Sequence, residues 1–311
     1  MWVKPTRKAA MTPIPDPTAP RHSAGLGAAA ALSVVLIWAA WLIATRYSIG
    51  GSLSAFDLSL LRYGIPATLL TPVWLRTGLW PKSVPKLPFV LMVLGSGAPF
   101  FQVVAFGMRS TPASAAGVLL PGLMPLATAL IGMALLHERP DMMRKIGMAA
   151  IFAGGLVLLV ANIGDETLSW ISYTVLPVGA TLWAVYTHAF RRSGLSAFEG
   201  AALICAWSTI LNLLFTPFVE IHLFSAPFAE TGLQIVTQGI LSGLVATLLY
   251  GTAVRSLGST QAAAYTAVSP VAAAIGGALV LGEPLGLATI AAALITGIGV
   301  LLSTGIVSRR L

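Results

Sequence analysis

Charge is scarce in this chain, since only 9% of its 311 residues are Asp, Glu, Lys or Arg. An ordinary soluble domain carries roughly a quarter, so that class is excluded. Acidic residues are scarcest, 10 against 18 basic ones, and each falls in a tail, a loop or the end of an apolar run. The midplane carboxylate that proton pumps use is therefore missing, although Asp57 and Glu283 near run ends leave proton coupling open. The single cysteine, Cys205, lies inside an apolar run and excludes an intrachain disulfide. No Walker-type loop, HExxH or GxSxG segment occurs. That counts against nucleotide-driven pumping and the familiar hydrolases, and no cofactor is expected. His188, followed by Arg191 and Arg192 at a helix end, reads as an interfacial side chain, so no metal site is expected either.

What the chain has instead is apolar length: 57% of residues are hydrophobic and the mean hydropathy is +0.88. A helix crosses a bilayer with roughly 20 residues. Runs of that size fall at about 27-46, 54-74, 87-107, 113-136, 142-162, 170-190, 200-219, 231-254, 258-281 and 285-307. The expected class is an all-α integral membrane protein of ten transmembrane helices. Threading the chain with its N-terminus inside places nearly every Lys and Arg on the cytoplasmic side, with Arg46 and Arg109 outside and Arg62 within a span. That asymmetry follows the positive-inside rule and puts both termini in the cytoplasm of a multi-pass protein of the cell (inner) membrane. Residues 1-24, rich in proline and basic, read as a disordered cytoplasmic tail, and 308-311 as a second short one.

The spans repeat. Pro125 to Glu138, PLATALIGMALLHE, recurs 145 residues later as Pro270 to Glu283, PVAAAIGGALVLGE. Ser114 and Ser259, Gly132 and Gly277, and Gly154 and Gly299 match at the same offset, as do Trp38 and Trp183, and Arg46 and Arg191. Trp41 and Tyr186 take matching places, and SAFD at 54-57 is echoed by SAFE at 196-199. Five spans per unit is an odd number, so the two units, 25-163 and 164-307, are expected to lie inverted in the membrane. A proline deep in a helix leaves a carbonyl unbonded four residues back, here Pro121 and Thr266, with Gly117 added by Pro121 itself. Such interruptions in matching places point to a midplane binding site. Pro125 and Pro270 are therefore expected to act as bending points and to supply acceptors. Glu138 and Glu283, each followed within two residues by a proline, suit helix-capping at a positive helix end.

Arg62, the one charge well inside a span, must pair with another helix, contact substrate or snorkel to the surface. Pro99, in GSGAPFFQ, makes a third interrupted helix, and Gln102 after it can donate and accept. Trp207, Asn212, Gln238, Tyr250 and Tyr265 add polar or aromatic groups to helices 7 to 9. The small residues Ala150, Gly154 and Gly155, and Ala293, Gly297 and Gly299, read as packing seams.

Two five-helix units, a tryptophan in the first helix of each, an arginine within LLRYGIPA, and proline followed by glutamate closing helices 4 and 9 resemble the drug/metabolite transporter superfamily, specifically its EamA-type members. The resemblance spans residues 26 to 307. It implies a ten-helix inverted-repeat carrier with cytoplasmic termini that moves small metabolites, often amino acids or related compounds, often outward. In the second unit Ile204 stands where Arg62 stands in the first, so that arginine's role is not shared by symmetry.

The expected function is a secondary transporter, an exporter of small organic metabolites, working by alternating access. Trp38, Trp41, Trp183, Tyr186, Tyr250 and Tyr265 are expected to wall the substrate site, with Arg62 and Gln102 orienting polar groups. The partners are a small-molecule substrate and the lipid bilayer, with protons an open candidate and nucleic acid excluded; the protein is expected to be a monomer or homodimer. The competing class is an intramembrane enzyme built on His188 and Glu199. Matched features in both halves favour transport, and bulky mid-span aromatics argue against an open channel.

Overall fold

A computed structural model describes residues 24–49, 51–161, 170–257 and 259–305. The N-terminal tail to residue 23, the boundary at 163/164, and residues 306–311 lie outside the described residues, as do the run ends placed at 162, 258 and 307. Ala24, assigned to the tail, already belongs to the first helix.

The described residues are helical, with no strand among them. In chain order they form α1 (Ala24–Ile49), α2 (Ala55–Leu69), α3 (Thr71–Thr77), α4 (Lys86–Ser96), α5 (Ala98–Met108), α6 (Ala113–Gly117), α7 (Met124–Leu136), α8 (Met142–Ala161), α9 (Trp170–Ser193), α10 (Ala197–Phe215), α11 (Phe228–Gln234), α12 (Ala246–Leu257), α13 (Ser259–Tyr265), α14 (Ser269–Leu281) and α15 (Leu287–Ser303). Seven stretches among them are long and apolar enough to cross a membrane. Large apolar side chains such as Leu279, 81% exposed, face outward, as lipid contact requires. The chain is an integral membrane protein.

Helix starts follow local chemistry. SAFD and SAFE are capping boxes: Ser54 accepts from the Asp57 N–H at 3.2 Å while Asp57 accepts from the Ser54 N–H at 2.9 Å. Ser196 and Glu199 repeat the exchange at 3.3 and 2.8 Å. Each box satisfies two of the donors a helix start leaves unpaired. Pro72, in the first turn of α3, ends α2 at Leu70, a break within the expected second span.

Prolines set the interruptions. Gly97 separates α4 from α5, and Pro99 sits in the first turn of α5. The groups freed there are bonded from neighbours: the Ala98 N–H donates to Ser208 Oγ at 3.0 Å, and the Tyr63 hydroxyl donates to the Ser96 carbonyl at 2.9 Å. Between α6 and α7 a π-helical stretch, Val118–Gly122, contains Pro121, and Pro125 opens α7. The matching stretch between α13 and α14 is instead a 3-10 turn, Thr266–Val268, with Pro270 opening α14. The two interruptions meet back to back. A Cβ on Gly117 would lie 2.6 Å from that of Ala273 and 3.4 Å from the Pro270 carbonyl oxygen. A longer π run, Ile235–Val245, joins α11 to α12.

Matched C-caps close α7 and α14. His137 and Gly282 both take left-handed backbone, φ 56° and 67°, and the next N–H, of Glu138 or Glu283, returns to the carbonyl of Gly132 or Gly277 at 3.1 or 3.3 Å. The conformation suits glycine and strains a side chain bearing a Cβ. His137→Gly is expected to stabilise the fold by about 1 kcal/mol, read as a higher thermal midpoint in detergent. An unchanged or lower midpoint would mean that the imidazole holds compensating contacts.

α8 lies along α15, α1 packs against α12 and α14, α9 against α4, α5 and α7, and α2 against α10 and the π run 235–245. These pairings bring α1, α2, α5, α9 and α12 around one aromatic centre.

Candidate functional site

Trp38 and Trp183, matched across the repeat, meet edge to face with centroids 6.4 Å apart. Tyr250 lies against Trp38 at 6.2 Å, and Tyr186 against Trp183 at 5.1 Å. Phe100 backs Trp183 at 5.6 Å. Four of the residues expected at the site thus adjoin one another, and each is half-buried. Tyr265 does not join them. It packs in a separate cluster with Ala30, Ala31, Ala253 and Ala262, to which Tyr250 also belongs.

Next to this centre stands Arg62. Its guanidinium lies over the Trp41 ring, 4.5 Å from the centroid, with Phe101 at 5.6 Å and Tyr63 at 5.9 Å. Nη1 donates to Ser242 Oγ at 2.9 Å and to Gln238 Oε1 at 3.5 Å. Gln238 is itself oriented, since its amide donates to Thr45 Oγ1 at 2.8 Å, and Thr45 donates to the Trp41 carbonyl at 2.7 Å. One helical turn away Gln234 donates to the Ala44 carbonyl and to Ser48 Oγ, both at 2.9 Å. Of the three fates open to Arg62, snorkelling is excluded, because the side chain turns inward onto neutral partners.

Close approach makes this possible. Gly239 and Gly243 face α2: a Cβ on the first would meet Ile65, and on the second would come 3.1 Å from the Arg62 carbonyl oxygen. That carbonyl lies four residues before Pro66, a proline inside α2, whose missing N–H leaves it without its helical donor. Gln234, Gln238 and Ser242, spaced by four, mark the facing polar edge, and Thr45 and Ser48 mark that of α1. Of these, sequence reasoning singled out Gln238 alone. The i, i+4, i+8 spacing of 234, 238 and 242 is the signal that could have found the rest.

Gln102 reaches only the Ala55 carbonyl, at 3.5 Å. Asn212 exchanges hydrogen bonds with Ser59, and Trp207 donates to the Leu79 carbonyl at 2.6 Å. His188 is buried within the protein, its Nε2 2.9 Å from the Thr128 carbonyl oxygen. Glu199 is engaged in its capping box. The pair required by the enzyme reading is therefore not assembled, and no metal-holding cluster occurs among the described residues.

The two matched glutamates differ. Glu283 accepts from the N–H groups of Ala113 at 2.9 Å and Ser114 at 3.3 Å, so it seats on the start of α6 in the other half rather than on the helix that follows it. Arg46 Nε stands 3.9 Å from Glu283, while Nη1 donates to the carbonyls of Met108 at 3.1 Å and Arg109 at 2.7 Å. The side chains of this corner are 30% and 12% exposed for Arg46 and Glu283. The counterpart corner holds Arg191 and Glu138, also 3.9 Å apart, at 66% and 49%. Among the described residues Arg191 is the partner of the Glu138 carboxylate. α6 lies along α14, whereas α13, which corresponds to α6, packs on α12, α1 and α15.

The chain is 25% identical over 275 residues to "Uncharacterized transporter YyaM" of Bacillus subtilis, covering 84% of this chain and 88% of that protein. It is 27% identical over 244 residues to the "Probable terminal-alkyne amino-acid exporter" of Streptantibioticus cattleyicolor, covering 76% and 80%. A solved structure described as "Crystal structure of protein", 21% identical, shares the fold with a TM-score of 0.63 over 93% of this chain and 100% of its own. The EamA-like transporter family matches twice in succession, over residues 25–160 and 170–305. With two copies accounting for nearly all the described helices, the chain is a membrane transporter that belongs to the EamA-like transporter family.

Proposed function

We propose that the protein is a secondary transporter that exports small organic metabolites, amino acids or compounds related to them, by alternating access. On this reading α2 with α3, α4 with α5, α6 with α7, α11 with α12, and α13 with α14 each make one span. With α1, α8, α9, α10 and α15 they form ten spans in two inverted five-helix units. Both termini are cytoplasmic, and the protein sits in the cell (inner) membrane. Substrate binds against Trp38, Trp183, Tyr186 and Tyr250, beside Trp41 and Arg62, and Pro125 and Pro270 mark the bending points.

The observation that carries this reading is the unequal state of the two matched corners. In the inverted arrangement the Glu283 corner is extracellular and the Glu138 corner cytoplasmic. The first is seated on backbone donors and largely buried, and the second stands about half exposed. A carrier that closes one end at a time has this form, open here to the cytoplasm. The amino-acid class rests on the name of the Streptantibioticus cattleyicolor relative and on the aromatic walls.

Counterflow tests it. Purified protein in liposomes loaded with a pool of unlabelled amino acids is expected to accumulate at least one labelled member, and Trp38→Ala to raise the half-saturating concentration roughly tenfold, the loss of one aromatic contact wall. Absence of counterflow across the pool, with the protein folded, would defeat the amino-acid reading. A response to an imposed pH gradient decides proton coupling in the same assay.

A further inference from the structure

We propose that Arg62 is the anchor for a carboxylate on the transported molecule, so that the site accepts small organic acids and zwitterions and rejects cations that lack a carboxylate. The proposal rests on the transporter reading for its direction of use, but its geometry stands apart from it.

A guanidinium in a membrane span is costly unless its charge and its donors are met. Arg62 lies on α2 two turns past the Ser54 cap, about 12 Å into the helix. Its charge is not met by protein, since none of the ion pairs among the described residues includes it. Three buried or partly buried carboxylates of the fold are committed elsewhere. Asp57 is held by Ser54 and by the His222 N–H at 3.0 Å, and Glu230 accepts from the Ser52 N–H at 3.2 Å. Glu283 is seated on α6. Arg62 has neutral partners alone: the Ser242 hydroxyl and the Gln238 amide oxygen, both on Nη1, and the Tyr63 hydroxyl beside the guanidinium. A guanidinium presents five N–H donors in a planar fork. Three neutral partners leave donors of the fork unused on a side chain that is only half-buried, and a carboxylate matches that fork in charge and shape.

A second orphan donor lies in the same place. Trp41 is 6% exposed, and its Nε1 is buried with no acceptor, in the ring that Arg62 covers. A buried indole N–H normally finds a partner. Two unmet donors, one of them charged, sharing one ring's width call for an acceptor bearing negative charge, and no described residue supplies one.

The surroundings settle the rest of the ligand. The Thr45–Gln238 chain fixes the amide so that its oxygen meets Arg62, and holds the guanidinium on Trp41. Beyond it stand Trp38, Tyr250, Trp183 and Tyr186, faces that take an ammonium group or an apolar side chain equally well. No acidic group adjoins these rings among the described residues to reward a bare cation, while Arg62 repels one.

The test uses matched probes: a pool of L-amino acids, the corresponding amino-acid amides, which lack the anion, and the corresponding des-amino acids, which keep it. Counterflow in liposomes and ligand-induced thermal shift in detergent are read in parallel. Wild-type protein is expected to move and bind the acids, des-amino acids included, at least roughly tenfold better than the amides. Arg62→Gln should weaken the acids about 10- to 100-fold, as expected for a lost charge-assisted pair, and abolish the preference over amides. Arg62→Lys, which keeps the charge without the fork, should retain the preference at reduced affinity, and it guards against misreading a folding defect in the glutamine variant. Equal handling of acids and amides by the wild type, or a preference that survives in Arg62→Gln, overturns the carboxylate anchor while leaving transport standing. Acid-selective thermal shifts that vanish in Arg62→Gln, with no counterflow, would uphold the anchor and defeat the proposed export of these compounds by alternating access. If no carboxylate in the pool either binds or moves, the anchor is overturned.

Discussion

Removing the Glu283 carboxylate, as in Glu283→Ala, is expected to open the Arg46 corner and to reduce transport at least about tenfold. Two charge-assisted bonds to backbone donors are lost, each worth roughly 1.5–3 kcal/mol, and Arg46 loses its neighbouring anion. A combined loss of about 3–5 kcal/mol shifts the balance between closed and open corner by roughly two to four powers of ten. The reading is direct because the only cysteine, Cys205, is buried. Ser114, 3% exposed in the corner, replaced by cysteine should resist a membrane-impermeant maleimide in the otherwise native chain and react in the Glu283→Ala background. Glu138→Ala, at the exposed corner, should leave that labelling unchanged. Equal labelling with and without Glu283 would show that the corner is held shut by something other than its carboxylate.

Gly299→Val is expected to have the largest effect on stability. A Cβ at Gly299 would stand 2.6 Å from the Ile151 nitrogen and 2.8 Å from the Gly147 carbonyl oxygen, and these are backbone atoms of α8 that cannot swing aside. Gly147 faces back with a Cβ position 2.7 Å from the Gly299 carbonyl oxygen. α8 and α15 must separate along their length, giving up the dispersion contacts that hold helices together in lipid. Overpacking commonly costs 1–3 kcal/mol, and with rigid backbone on both sides a loss of about 3 kcal/mol or more is expected. It should appear as a sharply lowered thermal midpoint in detergent and poor recovery. Gly155→Ala, whose new Cβ would find only Leu123 at 3.9 Å, is the matched control and should be nearly silent. A tolerated valine at 299 would mean that the two helices are not held at backbone contact.

These seams show how far the amino-acid order could be read. Small residues at fours in the fifth and tenth spans announced close packing, and Gly154 and Gly299 do lie at the α8–α15 contact. Gly297 marks a different close approach, to the Ala267 carbonyl oxygen at 2.7 Å, whereas Gly155 is almost open. The reason is that a helix apolar on every side gives no periodicity to tell its buried face from its lipid face. Where residue type carried the information, reading succeeded. Trp38 and Trp183 were matched by offset and prove to be in ring contact, and Pro99 interrupts its helix. Partners brought by tertiary contact were invisible, as with Glu283 seated on α6 and Arg62 bonded to Ser242. Backbone register was equally hidden. Nothing in the residues from Ile235 to Val245 announces a π run, and the near-identical settings of Pro125 and Pro270 follow a π stretch in one half and a 3-10 turn in the other.

The π run has a torsional consequence. Its hydrogen bonds span one residue more than those of an α-helix, so it holds surplus residues wound into α11 and α12 without lengthening the connection. Converting one wide turn to α-helical winding would advance everything beyond it by one residue, a rotation of about 100° around the axis. Gln238 and Ser242 lie in that run and Tyr250 just past it. Any rewinding of this segment would thus move the Arg62 partners and the tyrosine that faces Trp38 together.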